Sequence, residues 1–277
     1  MKTVPLRISH VLTVLLGVLT GCVAPSSGSD ARGGPVLAVG GGGTPQEAVQ
    51  EALQLARSGP ESPSVVVIPH ASQREDRGLA SAEMWREGGA YSVSILEEDA
   101  AAARAQIRAA DIVWMGGGSQ TRLMEHLKAQ GLDQDIRAVH LAGTVVGGTS
   151  AGAAVLGEFM IAGSPDPAPY TAGAMESAMG LGLIPGVIVD QHFAERKREG
   201  RLLTALMDRP GTLGIGVSEG TCAAVQGDQM RVLGRSTVAL FDGRAATFPE
   251  TEPNGLRTAS GITVHVVPTG SEWRIGR

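Results

Sequence analysis

Gly148-Thr149-Ser150-Ala151-Gly152 follows a short apolar run and leads into small residues through Ala154. This is the setting of a nucleophile elbow, a sharp strand-to-helix turn that exposes a serine Oγ. Small neighbours are a steric requirement there, because a bulky residue would clash within the turn and block approach to the oxygen. The backbone amide of Ala151 then points into the site. The same five residues also suit a Gly/Ala-rich turn whose serine only caps a helix. Serine is too weak an acid to attack a carbonyl unaided, so a base must come from elsewhere. His192 can take that part, and Glu219 can hold its ring and stabilise the imidazolium. Taken singly, His192 fits a hydrogen-bonded structural residue and Glu219 a surface acid. With Ser150 they make a triad.

Gly116-Gly117-Gly118 follows another apolar run, and no Lys-Ser/Thr comes after it, which argues against a phosphate loop. An oxyanion role suits it better. The amides of Gly118 and Ala151 could bind a tetrahedral oxyanion, each contributing about 3 kcal/mol to the transition state; a tight turn under strand packing is the simpler alternative. Arg196, Arg198 and Arg201 lie just past His192, interleaved with Glu195 and Glu199. Planar guanidinium groups grip carboxylates well, but the spacing also suits a solvated helix face laced with ion pairs. Cys222 reads as a small buried hydrophobe rather than a second nucleophile.

To bring these residues together, short apolar runs alternate with amphipathic stretches, the pattern of βα units and a mostly parallel sheet with flanking helices. The runs are Val36 to Val39, Ser64 to Pro69, Asp111 to Met115, Thr144 to Val146, Gly186 to Val189 and Leu213 to Val217. Helical stretches are predicted at Pro45 to Arg57, Asp99 to Ala110, Thr121 to Gln130, Ala151 to Ile161 and Lys197 to Met207. Gln229 to Leu233, Ser236 to Phe241 and Gly261 to Val267 read as strands without intervening helices, an antiparallel C-terminal β extension of this α/β fold. Polar residues close the runs, and in open parallel sheets the ligand crevice lies at those carboxyl ends.

Lys2 and Arg7 followed by the apolar run Val11 to Leu19 read as an export signal, too short to span a bilayer. It ends in Leu19-Thr20-Gly21-Cys22, which resembles a bacterial lipobox. The expected organisation is a signal over residues 1–21, a flexible tether over 22–34 beginning at a lipidated Cys22, and one catalytic domain over 35–277. That places the protein in the cell envelope, held to a membrane by acyl chains. Acidic residues outnumber basic ones, 28 to 23, for a net charge of −5, which argues against nucleic acid as partner. With Cys22 acylated, Cys222 has no disulfide partner, so the fold must rest on packing.

Several segments together resemble the cyanophycinase-like serine peptidases. They are Val67-Ile68-Pro69-His70-Ala71-Ser72, Gly117-Gly118-Ser119-Gln120, Gly147 to Ala153, Asp190-Gln191-His192-Phe193 with Arg196, Arg198, Gly200, Arg201 and Leu202, and Gly214 to Thr221. The resemblance implies a class I glutamine amidotransferase-like sheet and a triad of Ser150, His192 and Glu219. It implies substrate-site roles for Gln120, Asp190, Gln191, Arg196, Arg198 and Arg201. The substrate class it implies is cyanophycin, a polyaspartate bearing arginine on its side-chain carboxyls, cut to β-aspartyl-arginine, or related aspartyl peptides. No metal or organic cofactor is implied, and related enzymes suggest a homodimer. Ser119, Ser218 and His70 depart from the family pattern, which bears on substrate preference. Two rivals remain at this point: an α/β-hydrolase esterase pairing Ser150 with His265, since that fold orders its triad serine, acid, histidine, and a binding lipoprotein without catalysis.

Overall fold

The computed structural model describes residues 33–162, 170–171, 173–250, 252 and 254–276. The expected signal, Cys22 and the tether up to residue 32 lie outside the described residues. Gly33 and Gly34, expected to end the tether, already belong to the domain: the Gly34 amide donates to His140 O at 2.6 Å.

The chain runs β1 (Val36–Val39), α1 (Gln46–Gln54), β2 (Ser64–Ile68), α2 (Leu79–Glu87), β3 (Ser92–Ile95), α3 (Ala100–Ala109), β4 (Ile112–Met115), α4 (Gln120–Ala129), α5 (Leu132–Leu141), β5 (Val145–Thr149) and α6 (Ala151–Ala154). It continues through β6 (Gly157–Ile161), β7 (Ser177–Met179), β8 (Ile184–Gln191), α7 (Glu199–Asp208), β9 (Leu213–Val217), β10 (Thr221–Gln226), β11 (Gln229–Gly234), β12 (Thr237–Asp242), β13 (Thr263–Pro268) and β14 (Glu272–Arg274).

These strands form two sheets. The first has the order β14-β11-β10-β1-β5-β4-β2-β3 and is parallel from β1 to β3. The second has the order β13-β12-β9-β8-β6-β7, with β6, β8 and β9 parallel. Of the six early runs, four lie in the mostly parallel first sheet as β1, β2, β4 and β5, while β8 and β9 lie in the second. The reason is β10, which turns back after β9 and occupies the free edge of β1 in antiparallel register, Ala38 opposite Ala223. The antiparallel C-terminal extension is present on both sheets, as β10, β11 and β14 on one and β12 and β13 on the other.

β1 is buried along its whole length, as a strand covered on both faces should be. Leu37 and Val39 join the cluster under α1 and α2, where Trp85 and Trp114 meet edge to face at 5.3 Å. Val36 and Ala38 face the larger cluster shared with α3 to α6 and one face of the second sheet. That sheet's other face packs on α7 through Phe193, Leu202, Leu206 and Phe241. The expected helix Ala151 to Ile161 is also corrected. Only Ala151–Ala154 is helical, and Gly157–Ile161 is a mostly buried strand. A stretch of small and apolar residues broken by a single charge, Glu158, carries no clear period to separate the two.

Candidate active site

β5 ends at Thr149 and the chain turns at once into α6, leaving Ser150 at φ 53° and ψ −114°. Non-glycine residues rarely adopt this left-handed backbone, and such strain concentrates at functional sites. The turn is held by the Ser150 amide, which donates to Val39 O at 2.9 Å, and by the Ser150 carbonyl, which accepts from Ala153 and Ala154. A side chain at Gly152 would run into the backbone of Met115.

β8 delivers His192 and β9 delivers Glu219. The His192 Nε2 lies 2.9 Å from Ser150 Oγ, and Nδ1 lies 2.6 Å from Glu219 Oε1. The side chains of His192 and Glu219 are 12% and 28% exposed, so the relay is shielded but open at one end. The hydrogen bond to His192, aided by the charges of His192, Arg196 and Arg235, holds the Glu219 carboxyl below the usual glutamate range. It is therefore ionised when needed to support an imidazolium.

The glycine run after β1 ties these loops together, a role its sequence does not announce. The His192 amide donates to Gly40 O at 2.7 Å, the Gly220 amide to Gly41 O at 2.8 Å, and the Gly40 amide to Thr221 O at 3.0 Å. One backbone segment thus fixes both partners of the nucleophile. Beside Ser150 the nearer glycine is Gly117, where a Cβ would sit 3.4 Å from Ser150 Cβ. Gly118 has φ 142° and packs on Ala71, and Ala151 opens α6 directly after the nucleophile.

The remaining expected site residues divide into two groups. Asp190, at the end of β8, is 1% exposed and accepts from both Nε and Nη2 of Arg201, the former at 3.0 Å. Arg198 donates to Gln191 O and, at 2.8 Å, to Gln191 Oε1, and lies 3.5 Å from Asp190. Gln120 is buried and donates to Ile161 O at 2.8 Å. Asp190, Gln191, Arg198 and Arg201 thus form one buried polar cluster at the end of β8, just before His192, with Gln120 buried separately against Ile161. Arg196 alone of the three arginines is exposed, close enough to Glu219 to lower its titration. Neither a single three-arginine clamp nor a uniformly solvated face describes them.

The departures have local explanations. Ser119 caps α4, its Oγ accepting from the Arg122 amide at 3.3 Å. Ser218 is buried and its amide reaches Thr237 O at 3.3 Å. His70 is buried and stacks on His126 with ring centroids 3.6 Å apart. Cys222 is fully buried in β10, and burial pushes its thiol far up, as befits an inert packing residue. His265 lies in β13 at a sheet edge, against Trp273 at 4.6 Å, while the imidazole on Ser150 is that of His192; the esterase pairing is corrected accordingly. Among the described residues no group of three or more His, Cys, Asp or Glu is placed to hold a metal ion.

A hydroxyl on a strained elbow, an imidazole in hydrogen-bond reach and an ionised carboxylate behind it are the working parts of a serine hydrolase. The family model of peptidase family S51 matches residues 36–233. A cyanophycinase of Trichormus variabilis is 34% identical over 233 residues, 80% of this chain and 78% of that protein. A cyanophycinase of Geminocystis herdmanii is 47% identical over 138 residues, so the match spans about half of each chain, 49% and 51%. The fold is shared with a crystal structure of a peptidase from an acI-B1 Actinobacterium at a TM-score of 0.66 and 21% identity, covering 87% of this chain and 97% of that one. The chain belongs to peptidase family S51 and is a cyanophycinase-like serine peptidase.

Proposed function

We propose that this enzyme cleaves cyanophycin or related aspartyl peptides to β-aspartyl-arginine or like products through an acyl-enzyme at Ser150. What carries the reading is the coincidence of the Ser150–His192–Glu219 line with 34% identity to a cyanophycinase across four fifths of the chain. As Oγ attacks the carbonyl carbon, His192 Nε2 takes the hydroxyl proton, and Glu219 stabilises the imidazolium that forms. The Ala151 amide and the amides of the Gly117-Gly118 turn receive the negative charge on the carbonyl oxygen. His192 then returns the proton to the leaving amine, and water, deprotonated by the same ring, releases the acyl group. In this reading Arg196 meets a substrate carboxylate, which its exposure beside Glu219 supports, while Gln120, Asp190, Gln191, Arg198 and Arg201 shape the substrate site through their buried hydrogen bonds.

Mass spectrometry of products from cyanophycin, with wild-type protein and Ser150→Ala, tests this. Ser150-dependent β-aspartyl-arginine supports the assignment. No product from a protein whose Ser150 still reacts with an organophosphorus probe moves the substrate to other aspartyl peptides, and unchanged hydrolysis by Ser150→Ala removes the mechanism. Lipid anchoring at Cys22 in the cell envelope is part of the same proposal and rests on the lipobox-like Leu19-Thr20-Gly21-Cys22. Loss of an acyl mass and of membrane sedimentation in Cys22→Ser is the expected result.

A further inference from the structure

We infer that Glu195 is a positioning residue that sets Glu219 against His192. Four of the hydrogen bonds around Glu219 bear on the turn that presents it. The Ser218 amide donates to Thr237 O at 3.3 Å, the Gly220 amide to Gly41 O at 2.8 Å, and Thr221 Oγ1 to Glu219 O at 3.3 Å. The fourth is different in kind: the amide of Glu219 itself donates to the side chain of Glu195, at Oε2, 3.0 Å away. Glu195 stands three residues after His192, on a turn pinned by Phe193 N to Val217 O, Arg196 N to His192 O and Arg198 N to Phe193 O, each at 3.1 Å. The loop of the base therefore holds the loop of the acid by one side chain, and the bond lands on the residue whose carboxylate must meet His192.

A bond at this position matters because the 2.6 Å contact between His192 Nδ1 and Glu219 Oε1 depends on the tilt of the Glu219 peptide. A carboxylate accepting from a backbone amide makes a stronger bond than a neutral group would. It also sets a second negative group near Glu219, an arrangement that simple surface solubility does not call for, with Arg196 and Arg235 nearby to offset it. Glu195 is exposed, so packing does not dictate its identity. The sequence alone gives no sign of the role, since Glu195 among alternating charges resembles an ordinary solvated acid.

The inference rests on Ser150, His192 and Glu219 acting as a triad, and the assay is chosen to separate the two. The full chain, as Glu195→Ala, Glu195→Gln, Ser150→Ala and wild type, is treated with a fluorophosphonate probe, and the second-order rate of Ser150 labelling is measured beside the thermal midpoint. Glu195→Ala is expected to label about tenfold more slowly at an unchanged midpoint, the scale of losing an aligned acid–base partner in part. Glu195→Gln, which keeps an acceptor oxygen, is expected to stay within about twofold of wild type, a rescue that a purely structural or charge role would not give. Wild-type labelling by Glu195→Ala, or equal slowing in both variants, overturns the inference. Labelling that persists in Ser150→Ala would instead overturn the triad.

Discussion

Gly41 lies against the imidazole of His192 so closely that a Cβ there would come within 2.5 Å of Nε2, the atom that faces Ser150. Its backbone also sits at φ 93°, where side chains are strained. Gly41→Ala should therefore push the ring off the serine as well as tax the loop. Displacing a reacting group by about 1 Å costs on the order of 100-fold, so hydrolysis should fall at least that much while the backbone change costs about 1 kcal/mol or more of stability. Steady-state kinetics with urea unfolding checks both. A fully active Gly41→Ala would show that the glycine run does not position His192.

Glu219→Gln keeps the shape of the relay and removes its charge. Because its carboxyl is held below the ordinary range, chiefly by the bond to His192, Glu219 remains ionised through the neutral and mildly acid range. Any stability it contributes is present above the unfolded glutamate range and is lost as pH falls through the lower folded value. The activity loss in Glu219→Gln should thus be present across the neutral range, on the order of 10³-fold or more if the amide stabilises the wrong ring state. A pH series of kcat with Ser150 labelling as control reads it. A loss confined to low pH would contradict an ionised Glu219.

Much of this site is legible in the chain because each catalytic residue comes within a few positions of the end of an apolar run. β1 and β9 run over the expected residues, and Ser150, His192 and Glu219 meet where the strand ends converge. β10 is obscure because Cys222-Ala223-Ala224 lacks the β-branched and aromatic residues that mark strands. Yet β10 decides the architecture, since it closes one edge of β1 and sends β8 and β9 to another sheet. α5 is hidden for a different reason. Asp133 and Asp135 are buried in it, which reads as implausible until Arg137 pairs with the first and Arg104 and Arg108 of α3 with the second. The Arg137 pair is a local i,i+4 contact, but the pairing of Asp135 with α3 is long-range and has no local signature.

His70 and His126 make a proton-sensitive contact in the fold. Burial, above all, lowers the titration of both, and for His70 the neighbouring His126 charge and Arg77 lower it further while Glu98 opposes them. A histidine with a depressed folded pKa is charged more readily when unfolded. Stability is then full above the ordinary histidine value of 6.5 and declines as pH falls below it toward the folded value. Urea midpoints should drop between pH 7 and pH 5. His126→Phe keeps a stacked ring but removes one titrating group, so its decline should be shallower; an identical slope would assign the pH dependence elsewhere.

Arg201 and Arg196 are five residues apart in one charged stretch, yet their substitutions should separate cleanly. Asp190 is 1% exposed and its two oxygens are met by the Nε and Nη2 of Arg201. Removing that guanidinium leaves the buried carboxylate with only the Gln191 amide and the more distant Arg198, 3.5 Å away, a loss approaching the roughly 3–5 kcal/mol of a buried pair broken from one side. Arg201→Ala should accordingly lower the unfolding midpoint sharply, and Arg201→Lys should recover only part of it, since an ammonium cannot reproduce the two-pronged contact. Arg196 is exposed beside Glu219 and pairs with no buried acid among the described residues. Arg196→Ala should unfold like wild type, within about 0.5 kcal/mol, and show its effect in KM for an acidic substrate. If instead Arg196→Ala is destabilised and Arg201→Ala is stable with a raised KM, the division into a buried cluster and an exposed substrate contact is wrong.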